Sequence, residues 1–166
     1  MKYLKYFSLI VLAFSLTLFD TSFFSFLDIF GSNILSSFIF LFSLALLIKY
    51  QDLLIFVFSI SLFFAAFSSL PVWQIFISFF ILPEITFFVK KKYLPDISVL
   101  PVAITFVITA VLFGAVLIMG VDDFSSEAFG QLGYFALINA VLGISVYEVL
   151  KYSIGRLRPN EIKIQN

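Results

Sequence analysis

Long apolar runs separated by short polar breaks dominate the pattern of the chain. A helix that crosses a bilayer needs about 20 largely apolar residues, or somewhat fewer where flanking side chains reach the interface. Six runs approach that length and predict six transmembrane helices, at residues 6–19, 34–48, 53–70, 73–89, 97–119 and 132–150. The first two runs are short and could extend into the Phe-rich residues 20–33, which could form an interfacial or re-entrant turn.

The breaks between the middle runs are short enough to restrict how those helices pack. Residues 49–52 and 68–71 can each join only antiparallel neighbours, so helices two to four should run up, down and up. Pro83 lies inside the fourth run and should kink it, because proline lacks an amide hydrogen and clashes with the preceding turn. With no soluble segment or linker between runs, the pattern predicts one compact, all-α membrane domain over residues 1–166.

The basic residues all fall on one set of breaks, which predicts an orientation. Lys and Arg are translocated with difficulty, and three lysines follow the fourth run directly. If the N-terminus is cytoplasmic, all ten basic residues lie in the cytoplasmic segments, which are residues 1–5, 49–52, 90–96 and 151–166. Both termini are therefore predicted to be cytoplasmic. The expected cytoplasmic anchors are Lys90, Lys91, Lys92, Arg156 and Arg158.

The N-terminal sequence MKYLKYFSLIVLAFSLTLFD also has the basic start and apolar middle of a secretory signal peptide. A cleavage site needs small residues after the apolar part, but Leu16, Leu18 and Phe19 stand there. We therefore interpret this segment as a retained first helix.

The composition supports a membrane protein and narrows its chemistry. The 166 residues are 62% hydrophobic and 12% charged, and a soluble domain of this size could not keep so much apolar side chain out of water. The formal net charge is zero, which gives no indication of a nucleic-acid partner. The chain has no Cys and no His, the residues that supply thiol nucleophiles, imidazole bases and most zinc ligands. We expect no catalytic residue, no cofactor and no metal site.

Four residues in or beside the apolar runs are candidates for an intramembrane polar site or a pocket: Glu84, Asn139, Gln74 and Trp73. Glu84 lies well inside a run, where an ionisable group is a functional candidate for holding a proton or cation. Alternatively, its side chain extends toward Lys90, about 9 Å away along the helix axis. Asn139 and Gln74 have neutral amides of the kind that more often join helices than bind ligands.

Glu148 lies three residues before Lys151 near the end of the sixth run, a spacing that places both on one helix face. This spacing predicts a local ion pair near the lipid headgroups.

The order of features from Thr21 to Arg158 resembles the rod-shape-determining membrane protein family MreD. The segment TSFFSFLDIFGSNILSSFIFLFSLALL is similar to the family's first outer loop and second helix. The segment FFAAFSSLPVWQIFISFF is similar to the end of its third helix, a Ser-Ser-x-Pro turn and its fourth helix. The basic loop KKKYLPDISVLPVAI and the ending ALINAVLGISVYEVLKYSIGRLR also resemble the family. Departures from its pattern occur at Ser32, Ala65, Ala66 and Trp73.

The resemblance implies a non-enzymatic scaffold in the bacterial cytoplasmic (inner) membrane. It would belong to the cell-elongation complex, or elongasome, that directs peptidoglycan synthesis and cell shape. Its partners would be the lipid bilayer, an MreC-like periplasmic coiled-coil protein and other members of that complex. The alternative is a small-molecule-binding membrane subunit of an importer, of the vitamin-transporter type. A pocket lined by Glu84, Asn139, Gln74 and Trp73 would favour that alternative.

Overall fold

The computed structural model of the protein describes residues 2–23, 28–29, 32–93, 99–119 and 126–157. Helices account for nearly all of these residues, so the all-α prediction is confirmed. The elements are α1 (Lys2–Leu18), a π-helical segment (Phe19–Phe23), strands β1 (Asp28–Ile29) and β2 (Ser32–Asn33), α2 (Ser36–Leu47), α3 (Tyr50–Phe67), α4 (Val72–Phe76), a second π-helical segment (Ile77–Ile81), α5 (Leu82–Tyr93), α6 (Val99–Ile118) and α7 (Ser126–Leu157). The two short strands pair antiparallel, Asp28 with Asn33 and Ile29 with Ser32.

Within the described residues, five helical segments are long and apolar enough to cross a membrane: Tyr3–Ser22, Tyr50–Phe67, Val72–Lys92, Val99–Ile118 and Phe129–Ile154. The protein is therefore a multi-pass membrane protein. Helix α2 is also apolar but has only 12 residues. At 1.5 Å per residue it is about 18 Å long, against about 30 Å for the hydrocarbon core of a bilayer. A sixth crossing and the orientation of the termini stay predictions.

Several helices extend beyond the apolar runs that predict them. Helix α7 begins at Ser126 rather than at residue 132, and the first helix starts at Lys2 and continues to Phe23 through its π-helical segment. Asp52, predicted in a connection, lies in the first turn of α3. The physical reason is that an apolar run marks the part of a helix in hydrocarbon, while backbone hydrogen bonding can continue among polar residues.

Side-chain contacts show that α1 and α3 run parallel to each other and that α5 runs antiparallel to both. Phe14 packs edge-on against Phe63, with 5.2 Å between ring centroids, and Lys5 forms an ion pair with Asp52. The early parts of α1 and α3 are therefore adjacent, and so are their later parts. Tyr50 contacts Phe87 at 5.3 Å, which places the start of α3 beside the end of α5.

The last two helices pack antiparallel through glycines. Gly114, late in α6, faces Phe135 in the first half of α7, while Gly143, late in α7, faces Phe106. The end of α6 also lies beside the start of α4, as shown by Gln74. One end of the bundle thus carries the starts of α1 and α3 with the ends of α5 and α7; we call it the lysine end. The opposite end is called the far end.

Pro83 is accommodated by a π-helical segment just before it. The amide of Leu82 donates to the carbonyl of Ile77, five residues earlier, instead of four. Proline has no amide to donate and its ring crowds the preceding turn, so the wider turn relieves a clash that a regular α-helix would have. The structure thus shows a local change of helix type before Pro83, and the kink itself stays a prediction.

Phenylalanine rings form the core where α2, the second π-helical segment, α6 and α7 meet. Phe113 packs edge-on against Phe38 and Phe79, each at 5.1 Å, and stacks on Phe135 at 6.1 Å. All four rings are buried. Such pairs add about 0.5–1.5 kcal/mol each beyond their area, so Phe113 connects three neighbouring elements.

Replacing Gly143 by Ala should destabilise the bundle, because the added Cβ would overlap the buried ring of Phe106. Overpacking costs about 1–3 kcal/mol, and the better helix propensity of Ala offsets up to about 1 kcal/mol of that. We expect a lower thermal midpoint by circular dichroism in detergent. Gly133→Ala in the same helix is the control, since a Cβ there meets nothing within 4 Å. Equal midpoints for the two variants would contradict the packing described.

Candidate functional site

The polar core of the protein is at the first turn of α2, which receives a side chain from the end of the first helix. Asp20 is buried, with a relative exposure of 7%. Its Oδ1 accepts hydrogen bonds from the Ser36 amide (2.8 Å) and the Ser36 hydroxyl (2.6 Å), and its Oδ2 accepts from the Ser37 amide (2.8 Å). Asp20 therefore caps α2 from another helix.

Asn139 of α7 completes this cap. Its Oδ1 accepts a hydrogen bond from the Leu35 amide at 3.0 Å, and its Nδ2 donates to the Phe135 carbonyl at 3.0 Å. Asn139 is fully buried. The prediction that its amide joins helices is thus supported by these contacts, which connect α2 to α7.

Three consecutive amides, from Leu35 to Ser37, are thus bonded to side chains from other helices. The first amides of any helix lack intrahelical acceptors, and hydrocarbon offers no water to replace them. Asp20 also places negative charge at the positive end of the α2 dipole. We call Asp20, Asn139 and the amides of residues 35–37 the α2 cap. The α2 cap is a set of hydrogen bonds that fixes the first helix, α2 and α7 relative to one another.

Gln74 caps the C-terminal end of α6, as Asp20 and Asn139 cap the start of α2. Its Nε2 donates to the carbonyls of Val116 (2.9 Å) and Leu117 (3.1 Å), which lie in the last turn of that helix. Gln74 has a relative exposure of only 1%, whereas its neighbour Trp73 is 45% exposed. Gln74 therefore joins helices, and Trp73 lies on the outer surface of the bundle.

Asp52 and Lys5 form an ion pair between the first turns of α3 and α1. Asp52 is 8% exposed and Lys5 is 37% exposed at the side chain. The pair joins two parallel helices at the lysine end, so another acidic group is used for helix packing.

In the part of the chain that the structure describes, the other acidic residues near the lysine end are Glu84 and Glu148. One carboxylate oxygen of each is buried without a hydrogen-bond partner. Glu84 lies close enough to Tyr50 to interact with its hydroxyl. The Lys151 ammonium lies 5.7 Å from the centroid of the Tyr147 ring. The ion pair of Glu148 with Lys151 stays a prediction.

Two of the five predicted anchors are shown at the surface. Lys91 and Lys92 are exposed, while Lys90 is half-buried with its ammonium 5.8 Å from the centroid of the Phe87 ring. Arg156 lies in the last turn of α7, and Arg158 lies outside the described residues.

An apolar cavity of about 300 Å³ lies between α3, α6 and α7 toward the far end. Four phenylalanines line it, namely Phe64, Phe79, Phe113 and Phe135, together with Leu35, leucines of α6 and α7, and Gln131. Glu84, Asn139, Gln74 and Trp73 do not line this cavity. The four predicted candidates are thus not brought together there; two join helices, one faces Tyr50 and one is at the surface.

Sequence reasoning missed Asp20, Asp52 and the cavity. The pattern places Asp20 at the start of residues 20–33 and Asp52 in the connection 49–52, because each flanks an apolar run. The sequence did contain one signal for the Asp20 contact. Ser36 and Ser37 begin a run that is short for a membrane-spanning helix, so the first amides of that helix needed hydrogen-bond acceptors from elsewhere in the protein. Among the described residues, no three or more Asp or Glu side chains lie together in a group that could hold a metal ion.

Comparisons with known proteins add no relative: no family model, no curated protein and no solved structure matches the chain.

Replacing Asp20 by Ala should destabilise the protein strongly, because the Ser36 and Ser37 amides lose their acceptors. Each unsatisfied buried amide costs about 1–3 kcal/mol. Asp20→Asn keeps one acceptor oxygen and should fall between Ala and wild type. The measurement is unfolding in mixed micelles with increasing SDS. Ser15→Ala is the control, since Ser15 is exposed and its hydroxyl donates to a carbonyl within α1. If the unfolding curves of Asp20→Ala and Ser15→Ala coincide, the α2 cap is ruled out.

Lys5 and Asp52 should show coupled effects in a double-mutant cycle. Lys5→Met and Asp52→Asn each remove one partner, so the double variant should lose less stability than the sum of the singles. Because Lys5 is partly exposed, we expect a coupling of about 1 kcal/mol. The same cycle with the exposed Lys91→Met in place of Lys5→Met should be additive. Additivity in both cycles would show that the ion pair contributes nothing.

Proposed function

We propose that the protein is a non-enzymatic scaffold of the bacterial inner membrane that acts in the cell-elongation complex, in the manner of MreD. The observation that carries this proposal is the use of the buried polar side chains. Asp20 and Asn139 cap α2, Gln74 caps α6, and Asp52 pairs with Lys5. These groups hold helices together, so the proposed function of the protein is to bind partners through its outer surfaces.

A fixed bundle suits this role. A scaffold must present its partner-binding faces in a constant arrangement, and interhelical hydrogen bonds and close glycine contacts provide that in a membrane. The basic residues at the lysine end favour a cytoplasmic position for that end. The far end would then face the periplasm, where an MreC-like coiled-coil protein could bind.

Affinity purification of the tagged protein from its own cells, in mild detergent with quantitative mass spectrometry, tests the partners. We expect enrichment of an MreC-like protein and of wall-synthesis enzymes over a control bait, a second multi-pass membrane protein of equal abundance. Depletion of the protein should convert rod-shaped cells to rounded ones. Normal shape after full depletion would contradict the scaffold proposal.

A small-molecule-binding subunit of an importer is the second candidate, and the far-end cavity favours it. Pockets of about 300–1,000 Å³ with mainly apolar and aromatic walls are typical of ligand sites. The same purification separates the two candidates, since an importer subunit should enrich ATPase subunits instead of wall enzymes.

A further inference from the structure

The far-end cavity has the chemistry of a site for hydrocarbon. The aromatic walls are arranged in contact: Phe64 stacks on Phe79 at 4.2 Å, and Phe79 packs edge-on against Phe113 at 5.1 Å. Among the described residues of the lining, Gln131 is the one with a polar side chain. A polar ligand would find few partners for its donors and acceptors there, and unpaired polar groups are costly.

Water is an equally poor occupant. A buried water needs two to four polar partners, and cavities lined by Leu, Ile and Phe stay dry and bind small apolar molecules. An unfilled void of about 300 Å³ would also deprive its walls of dispersion contacts. The favoured occupant is therefore apolar.

The position of the cavity indicates where that occupant comes from. Gln131 is exposed and lies near the start of the membrane-spanning segment Phe129–Ile154, so it marks the mouth of the cavity near the membrane interface. Phe135, one turn further along α7, is buried in the wall. The described residues enclose the cavity only in part, and its lining runs from Gln131 to the buried Phe135 and Phe79, inward from the interface, which is the direction in which lipid chains lie.

The size of the cavity matches part of a lipid chain. A cavity of about 300 Å³ is many times larger than the space one water needs, so it can hold a run of several methylene groups. We propose that this cavity binds an acyl chain of a membrane phospholipid from the leaflet at the far end. The proposal does not rest on the scaffold function, because it follows from the lining, opening and depth of the cavity alone.

Gly114 sets the width of the site. A Cβ at this position would lie 3.0 Å from Leu132 Cδ1 and 3.0 Å from Phe135 Cδ1, so the absence of a side chain lets α6 and α7 meet closely behind the cavity. Leu132 is half-buried and lines the cavity, whereas Leu137 on the same helix is 64% exposed and does not. These two leucines provide a matched pair for a test.

The test is photo-crosslinking in nanodiscs of phosphatidylcholine in which one acyl chain carries a diazirine. Adducts are located by mass spectrometry after digestion. We expect adducts on Phe113, Leu117 and Phe135 in the wild type. Leu132→Trp, which fills the cavity, should lower them at least fivefold while leaving adducts on the exposed Val141 unchanged. Leu137→Trp should change neither set.

A stability measurement keeps the proposal testable if Leu132→Trp packs poorly. In detergent, added phosphatidylcholine should raise the thermal midpoint of the wild type and of Leu137→Trp. It should raise that of Leu132→Trp less, because the indole already fills the void. Cavity-wall adducts that are absent from the wild type, or that persist at full yield in a folded Leu132→Trp protein, would overturn the proposal.

Discussion

The fold depends on a short apolar helix, α2, whose first amides are hydrogen-bonded to side chains of other helices. Helix α2 has 12 residues, too few to cross the hydrocarbon core on its own. An unpaired amide in hydrocarbon costs several kcal/mol. Asp20 and Asn139 remove that cost and, because they come from different helices, they also fix where α2 lies relative to the first helix and α7.

Other buried polar groups of the bundle are likewise satisfied by hydrogen bonds or an ion pair. Gln74 satisfies the last carbonyls of α6, and the π-helical segment before Pro83 retains a hydrogen bond that a regular turn could not accommodate. The Lys5–Asp52 pair neutralises a buried carboxylate at the lysine end. Polar groups are thus placed where backbone or charge must be satisfied. Phenylalanine fills the volume between them, except in the far-end cavity.

The helices were predictable because apolar runs and short breaks are local properties of the sequence. The prediction placed a helix at 34–48 where α2 runs from Ser36 to Leu47, and it assigned Asn139 a role in joining helices. Asp20 was not predictable as a cap, since its partner Ser36 lies 16 residues later and the contact is not a local property of the sequence. The cavity depends on the relative packing of Phe64, Phe79, Phe113 and Phe135, which no local pattern encodes.

Hydrogen exchange at the α2 cap is the most direct measurement of this account. In lipid nanodiscs, the amides of Leu35, Ser36 and Ser37 should exchange at least about 100-fold more slowly than in an unstructured peptide, because each donates to a buried side chain. In Asp20→Ala, protection should be lost at Ser36 and Ser37 first. Exchange at these amides in the wild type as fast as in a peptide would show that the start of α2 is open to water, and would contradict the account.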